Sequence, residues 1–214
     1  MQKVRVGVLG SGIVGQVLAG GFIQLGHDVM IGTRDPGKLS EWKASAGERA
    51  SVGSFEETAK FGDILVLALH GQGTENAIRM AGIANFDGKV VIDATNPLDM
   101  SKGLPQLFVG HTDSLGEIVQ RLVPKARVVK AFNTVGNALM IHPQIPGGPP
   151  DMFICGNDDD AKKIVTQICE NWGWGVIDIG GIEGSRYLEP MCIVWVWHGV
   201  RTGKWMHAFK MLHA

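Results

Sequence analysis

Residues 4–22 read VRVGVLGSGIVGQVLAGGF, and residues 31–38 read IGTRDPGK. The first stretch runs from an apolar strand pattern through GSGIVG into an amphipathic helix pattern, Gly15 to Leu25, that stops at Gly26. In that context the three glycines have separate tasks. Gly10 permits a tight turn, Gly12 lets backbone approach a pyrophosphate, and Gly15 lets the helix pack close to the strand. The amide groups and positive dipole end of the helix then face the phosphates. The reading is a dinucleotide site at the first strand of an α/β fold.

The second stretch decides which dinucleotide. A carboxylate at the end of the second strand accepts hydrogen bonds from a free ribose and repels an added 2′-phosphate. Here the strand ends Gly32, Thr33, Arg34. A hydroxyl and a guanidinium suit a phosphate dianion through charge-assisted hydrogen bonds, and Lys38, one turn further, adds a second cation. Asp35 is the objection, but its place before Pro36 predicts a helix cap. The expected cofactor is therefore NADP(H).

Working outward, apolar runs recur at Val4 to Leu9, Val29 to Gly32, Ile64 to Leu69, Val90 to Asp93, Val128 to Phe132, Met152 to Cys155 and Val176 to Ile179. Most are continuously apolar, as in strands covered on both faces. Helical patterns fill the gaps, one of them starting at Asp158 to Asp160 and running to Trp172. The fold class expected is α/β, a Rossmann-type doubly wound and mostly parallel sheet. From Glu183 the texture changes to a long helical pattern bearing Trp195, Trp197, His198 and Trp205, with a break at Gly199 to Gly203. The division expected is an NADP-binding domain over residues 1–182 and a small C-terminal helical extension over 183–214.

The bulk properties exclude several classes. With 214 residues, 45% hydrophobic, the chain can bury a full core. A net charge of −1 gives no basic field for nucleic acid or an anionic membrane. Cys155, Cys169 and Cys192 are an odd count without CxxC spacing, which argues against a disulfide framework and a zinc site and for reduced cytoplasmic thiols. No signal-peptide pattern follows the first residues, and the longest apolar run, near Met191 to Trp197, is too short to span a bilayer. A small-molecule redox substrate and a homodimer are the expected partners.

The segments GSGIVGQ, GTRDPGK, GDILVLAL, VVIDATNP, VVKAFNT and GIEGSRYLEPM, taken together, resemble the NADP oxidoreductases dependent on coenzyme F-420, a deazaflavin. The cytoplasmic oxidoreductase domains of six-transmembrane ferric reductases share much of the pattern, including KAFN. The resemblance implies NADP lying across Ser11, Gly12, Ile13 and Val14, with Thr33, Arg34 and Lys38 around the 2′-phosphate. It also implies nicotinamide-side contacts from Ala68, Leu69, His70 and Asn96, and a deazaflavin stacked over the nicotinamide beneath the C-terminal helices. The chain departs from the family pattern at Asn133, in whose place the family carries a histidine, and after the third strand, where this chain has His70 and the insertion GQG and the family a proline.

Hydride transfer between stacked rings requires positioning and water exclusion, not a dedicated acid or base. The function expected is transfer of hydride between NADP(H) and coenzyme F-420 or a related flavin. A ketone or imine substrate requires a proton donor, for which His70 and Asn133, with Thr134, are the polar candidates at strand ends. A reductase of a small imine or carbonyl, and a non-catalytic NADP(H) sensor, are the alternatives. The tail aromatics fit core or interface packing better than a ligand pocket, and Arg186 and Tyr187 precede them.

Overall fold

The structure is a computed structural model and describes residues 2–212. Its strands are β1 (Arg5–Leu9), β2 (Asp28–Gly32), β3 (Ala50–Gly53), β4 (Ile64–Leu67), β5 (Val90–Asp93), β6 (Leu98–Asp99), β7 (Gln106–Leu107), β8 (Arg127–Lys130), β9 (Asp151–Gly156) and β10 (Gly175–Asp178). Its α-helices are α1 (Ile13–Gln24), α2 (Ser40–Ala46), α3 (Phe55–Phe61), α4 (Thr74–Ala81), α5 (Leu115–Leu122), α6 (Asp159–Asn171) and α7 (Ser185–Thr202). Eight strands form one sheet in the order β3-β2-β1-β4-β5-β8-β9-β10, and β6 and β7 form a separate antiparallel hairpin. Pairing within the large sheet is parallel except between β8 and β9. This is a Rossmann-type doubly wound fold.

Alternation along the strands explains the two layers. Val6, Val8, Ile64, Val66, Val90 and Ile92 point to one face, where α1 and α6 bring Leu18, Phe22, Val165, Ile168 and Trp172. Leu9, Leu65, Leu67 and Val91 point to the other, where α3, α4 and α5 bring Phe55, Ala59, Ile78 and Val119. With both faces covered, the strands read as unbroken apolar runs. Trp172 is fully buried, edge-on to Phe22 with ring centroids 4.9 Å apart.

Local signals set the helix starts. Asp158 accepts from the Ala161 amide at 2.7 Å and caps α6. Ser54 and Glu57 form a capping box on α3. The C-terminal helix breaks within the expected interval Gly199 to Gly203: Gly199 lies inside α7, and the chain turns at Gly203, in left-handed conformation with φ 69°. A proline, Pro190, stands within this helix. Residues 203–212 then return as irregular chain. The Trp195 indole donates to the His207 carbonyl at 2.8 Å, and the Asp151 amide at the start of β9 donates to the Phe209 carbonyl at 2.9 Å. The three cysteines are buried and unbonded, and no described helix is long and apolar enough to cross a membrane.

Candidate active site

The β1 strand pairs with β2 on one side and β4 on the other, so the sheet order reverses beside it. Open α/β sheets form their ligand crevice at that reversal, outside the carboxyl ends of the strands. A cleft of about 320 Å³ lies there, lined by Gly12, Ile13, Val14, Ala68, Leu69, His70, Gly71, Ala94, Asn96 and Leu98.

The glycine loop meets the demands of a pyrophosphate cradle. Gly10 has φ 125°, and a Cβ there would strike the Ala68 carbonyl. A Cβ on Gly15 would strike the Gly10 carbonyl, so the helix can approach the strand only as glycine. Around Gly12, by contrast, a Cβ would meet nothing within 4 Å. That open space lies on the ligand side, above the first turn of α1, which has no side-chain cap and no acidic residue. Its first amides are left for an anion.

The corner after β2 is organised by short polar contacts. The Thr33 hydroxyl donates to the Ser11 hydroxyl at 3.1 Å, while the Asp35 amide donates to the Thr33 oxygen at 3.1 Å. Asp35 accepts from the Gly37 amide at 3.2 Å, with Pro36 in the first turn, so it is occupied as a cap. Thr33 is buried, whereas Arg34 and Lys38 are exposed. Lys38 stands 4.0 Å from Asp35, and Arg34 makes no ion pair among the described residues. A second cavity of about 130 Å³ adjoins Arg34, lined also by Phe55, Leu69, His70, Gly73, Asn76 and Ala77. The exposed His70 side chain and Leu69 border both cavities. The two spaces together suit an extended dinucleotide: a cationic end at Arg34, a glycine cradle in the middle, and an apolar end at Ile13, Val14, Ala68 and Leu98.

Asn96 and Asn133 lock together behind the apolar end. Asn96 Nδ2 donates to the Asn133 carbonyl at 2.8 Å, and Asn133 Nδ2 donates to Asn96 Oδ1 at 3.0 Å and to the Leu188 carbonyl at 2.9 Å. Asn133 is only 2% exposed and does not line the cleft, so its contacts join two loops to α7. Nor do the tail aromatics line it. Trp195 is buried against Trp205 and stacked on His207 at 4.7 Å. Arg186 pairs with Glu117 at 2.5 Å, and that guanidinium, against the opposing effect of burial, holds the Glu117 carboxyl below the usual range.

Several lining residues escape the sequence reading. Ala94 opens the ATNP stretch and Leu98 follows it directly, so both stand beside a residue that the sequence does single out. Phe55, Asn76 and Ala77 come from α3 and α4, and only the register of β3 beside β2 brings Phe55 near Arg34.

The family model for NADP oxidoreductase, coenzyme F420-dependent, matches residues 5–97. The F420-dependent NADP reductase of Methanocaldococcus jannaschii is 30% identical over 177 residues, covering 77% of this chain and 78% of that protein. Metalloreductase STEAP3 of Rattus norvegicus is 28% identical over 191 residues, 87% of this chain. The chain spans only 36% of that metalloreductase's length. A crystal structure from Arthrobacter sp. FB24, provisionally described as an F420-dependent NADP reductase, superposes with a TM-score of 0.93 at 36% identity, covering 98% of this chain and 100% of that one. The chain belongs to the coenzyme F420-dependent NADP oxidoreductase family.

Proposed function

We propose that this NADP-dependent oxidoreductase passes hydride between the nicotinamide of NADP(H) and a deazaflavin or related flavin. The observation that carries the reading is the apolar character of this end of the cleft: among the described residues its lining is glycine or apolar side chains apart from Asn96 and the exposed His70, the one titratable group there. Reduction of an imine or ketone needs a proton delivered to nitrogen or oxygen as the hydride arrives. A tricyclic redox ring needs only face-to-face approach, with the reacting carbons about 3 to 3.5 Å apart, and exclusion of water.

On this reading the chain's residues bind and orient. Arg34 and Lys38 take the 2′-phosphate, and Ser11, Gly12, Ile13 and Val14 take the pyrophosphate. Ala68, Leu69 and His70 line the path to the nicotinamide, and Asn96 borders its polar edge. Bound NADPH supplies the hydride, while Ile13, Val14 and Leu98 keep water from the ring. Thr33 belongs to the same corner as the residue that ties Ser11 to the end of β2. A second copy of the chain covering the exposed α7 face of Tyr187, Val194, Trp197 and Val200 is part of the proposal; sedimentation at a single molecular mass of the monomer would remove it.

The test is anaerobic stopped-flow mixing of the protein and NADPH with the deazaflavin coenzyme, FMN, FAD and a small cyclic imine in turn. Rapid NADPH oxidation by a deazaflavin or flavin, with the imine inert, is the expected result. Preferential oxidation by the imine would overturn the acceptor assignment. Inertness toward all four would leave a nucleotide-binding protein without this turnover.

A further inference from the structure

Lys130 is the last residue of β8 and stands in register with Asp93, the last residue of β5. Its side chain is fully buried. The ammonium lies 2.8 Å from Asp93 Oδ2 and 3.1 Å from Glu189 Oε1 on α7, and it donates to the Thr95 carbonyl at 2.8 Å. Both carboxylates are as buried as the lysine. Burial alone would lower the lysine's pKa, but the two carboxylates and their hydrogen bonds outweigh it and hold the ammonium above the usual lysine range. The surplus negative charge is met in turn. Glu189 accepts from the Leu115 and Gly116 amides at the start of α5, at 3.0 and 2.9 Å, and Asp93 accepts from the Thr95 amide and hydroxyl at 2.9 and 2.6 Å.

A buried ion cluster is a poor way to stabilise a fold, since apolar residues of similar size often do as well or better. What the charges supply is direction. Thr95 is held at its amide, hydroxyl and carbonyl at once, and the next residue, Asn96, enters the cleft. The Asn96 carbonyl is itself pressed against Gly71, where a Cβ would collide with it.

We propose that Lys130 is a positioning residue for the nicotinamide end of the cleft: through the Thr95 carbonyl, and anchored by Asp93 and Glu189, it fixes the backbone that presents Asn96. The inference rests on the NADP(H) reading above but not on the identity of the acceptor. Its effect is confined to one half of the dinucleotide, because the Arg34 corner lies on the other side of β1, just after β2.

The experiment compares two ligands on the full-length protein, NADPH and adenosine 2′,5′-bisphosphate, which has the phosphorylated adenosine end and no nicotinamide. Affinities are read by quenching of tryptophan fluorescence for wild type, Lys130→Met and the double variant Lys130→Met/Glu189→Gln. The double variant removes a carboxylate left without its cation, and it carries the test if the single variant does not fold. The expected result is a loss of about fivefold in NADPH affinity, the scale of one misplaced hydrogen bond, with the bisphosphate unchanged within about twofold. Equal losses for both ligands would make the cluster merely structural and overturn the proposal, as would no loss for either. Failure of the wild type to bind NADPH would overturn the NADP(H) reading itself, before any variant is compared.

Discussion

The Thr33 hydroxyl donates to the Ser11 hydroxyl across 3.1 Å, joining the end of β2 to the glycine loop after β1. Because Thr33 is buried and also engaged with Asp35, its service to a dinucleotide is to hold two halves of the grip at a fixed separation. Thr33→Val keeps the shape and removes the donor. Its NADPH affinity is expected to fall roughly fivefold, with Thr33→Ser near wild type, as one lost hydrogen bond implies. Fluorescence titration of the three proteins checks this, and unchanged affinity in the valine variant would detach Thr33 from binding.

Gly12 and Gly15 are expected to separate binding from folding. The site of a Gly12 side chain is open space in the cleft, so Gly12→Val is expected to cost about 1 kcal/mol of stability and to abolish NADPH binding. Gly15→Val drives its Cβ into the Gly10 carbonyl and is expected to cost about 3 kcal/mol. Urea unfolding together with nucleotide titration distinguishes them. A Gly12→Val protein that binds NADPH normally would remove the loop from the site.

Asn133 is expected to act through structure. Its amide supplies the Asn96 side chain and the Leu188 carbonyl, so Asn133→Leu leaves two buried or half-buried acceptors unserved. Each unmet acceptor costs about 1–3 kcal/mol, so a total loss of about 2–6 kcal/mol is expected. Denaturant midpoints measure it, and a change below about 0.5 kcal/mol would mean that the loops are held by other contacts.

Acid is expected to weaken the fold through His27. The ring is buried, and Nδ1 accepts from the Val4 amide at 3.2 Å, an interaction that the charged ring cannot make. Burial lowers its pKa below the usual 6.5. As pH falls, the unfolded chain is therefore protonated first. The stability that neutral His27 contributes is complete above about 6.5 and is lost progressively below it, toward the lower folded value. His27→Asn retains an acceptor near Nδ1 and cannot titrate. Its unfolding free energy is expected to drop less than that of wild type between about pH 7.5 and about pH 5.5; equal drops would place the acid sensitivity elsewhere.

Legibility in the sequence follows the range of the interactions. The strands of the sheet interior, such as ILVL at Ile64–Leu67 and VVID at Val90–Asp93, announce themselves because both faces are buried. The edge strand β3 does not: ASVG is short, small and half-covered, and only its pairing with β2 makes it a strand. The cap at Asp35 is legible because it acts two residues away. The Lys130 cluster is not, since its members come from β5, β8 and the second turn of α7 and meet only in the folded molecule. The loop that carries Asn133 is equally opaque, for Phe132 adopts φ 62°, a left-handed conformation that a bulky side chain rarely takes and that no local pattern signals.

The claim on which the rest depends is that the Arg34 corner recognises the 2′-phosphate. Parallel titrations of wild type and Arg34→Ala with NADPH and NADH test it most directly. The expected outcome is a loss of roughly ten- to a hundredfold for NADPH, the scale of a charge-assisted hydrogen bond, with NADH changed by less than about twofold. Equal losses for the two nucleotides would contradict it.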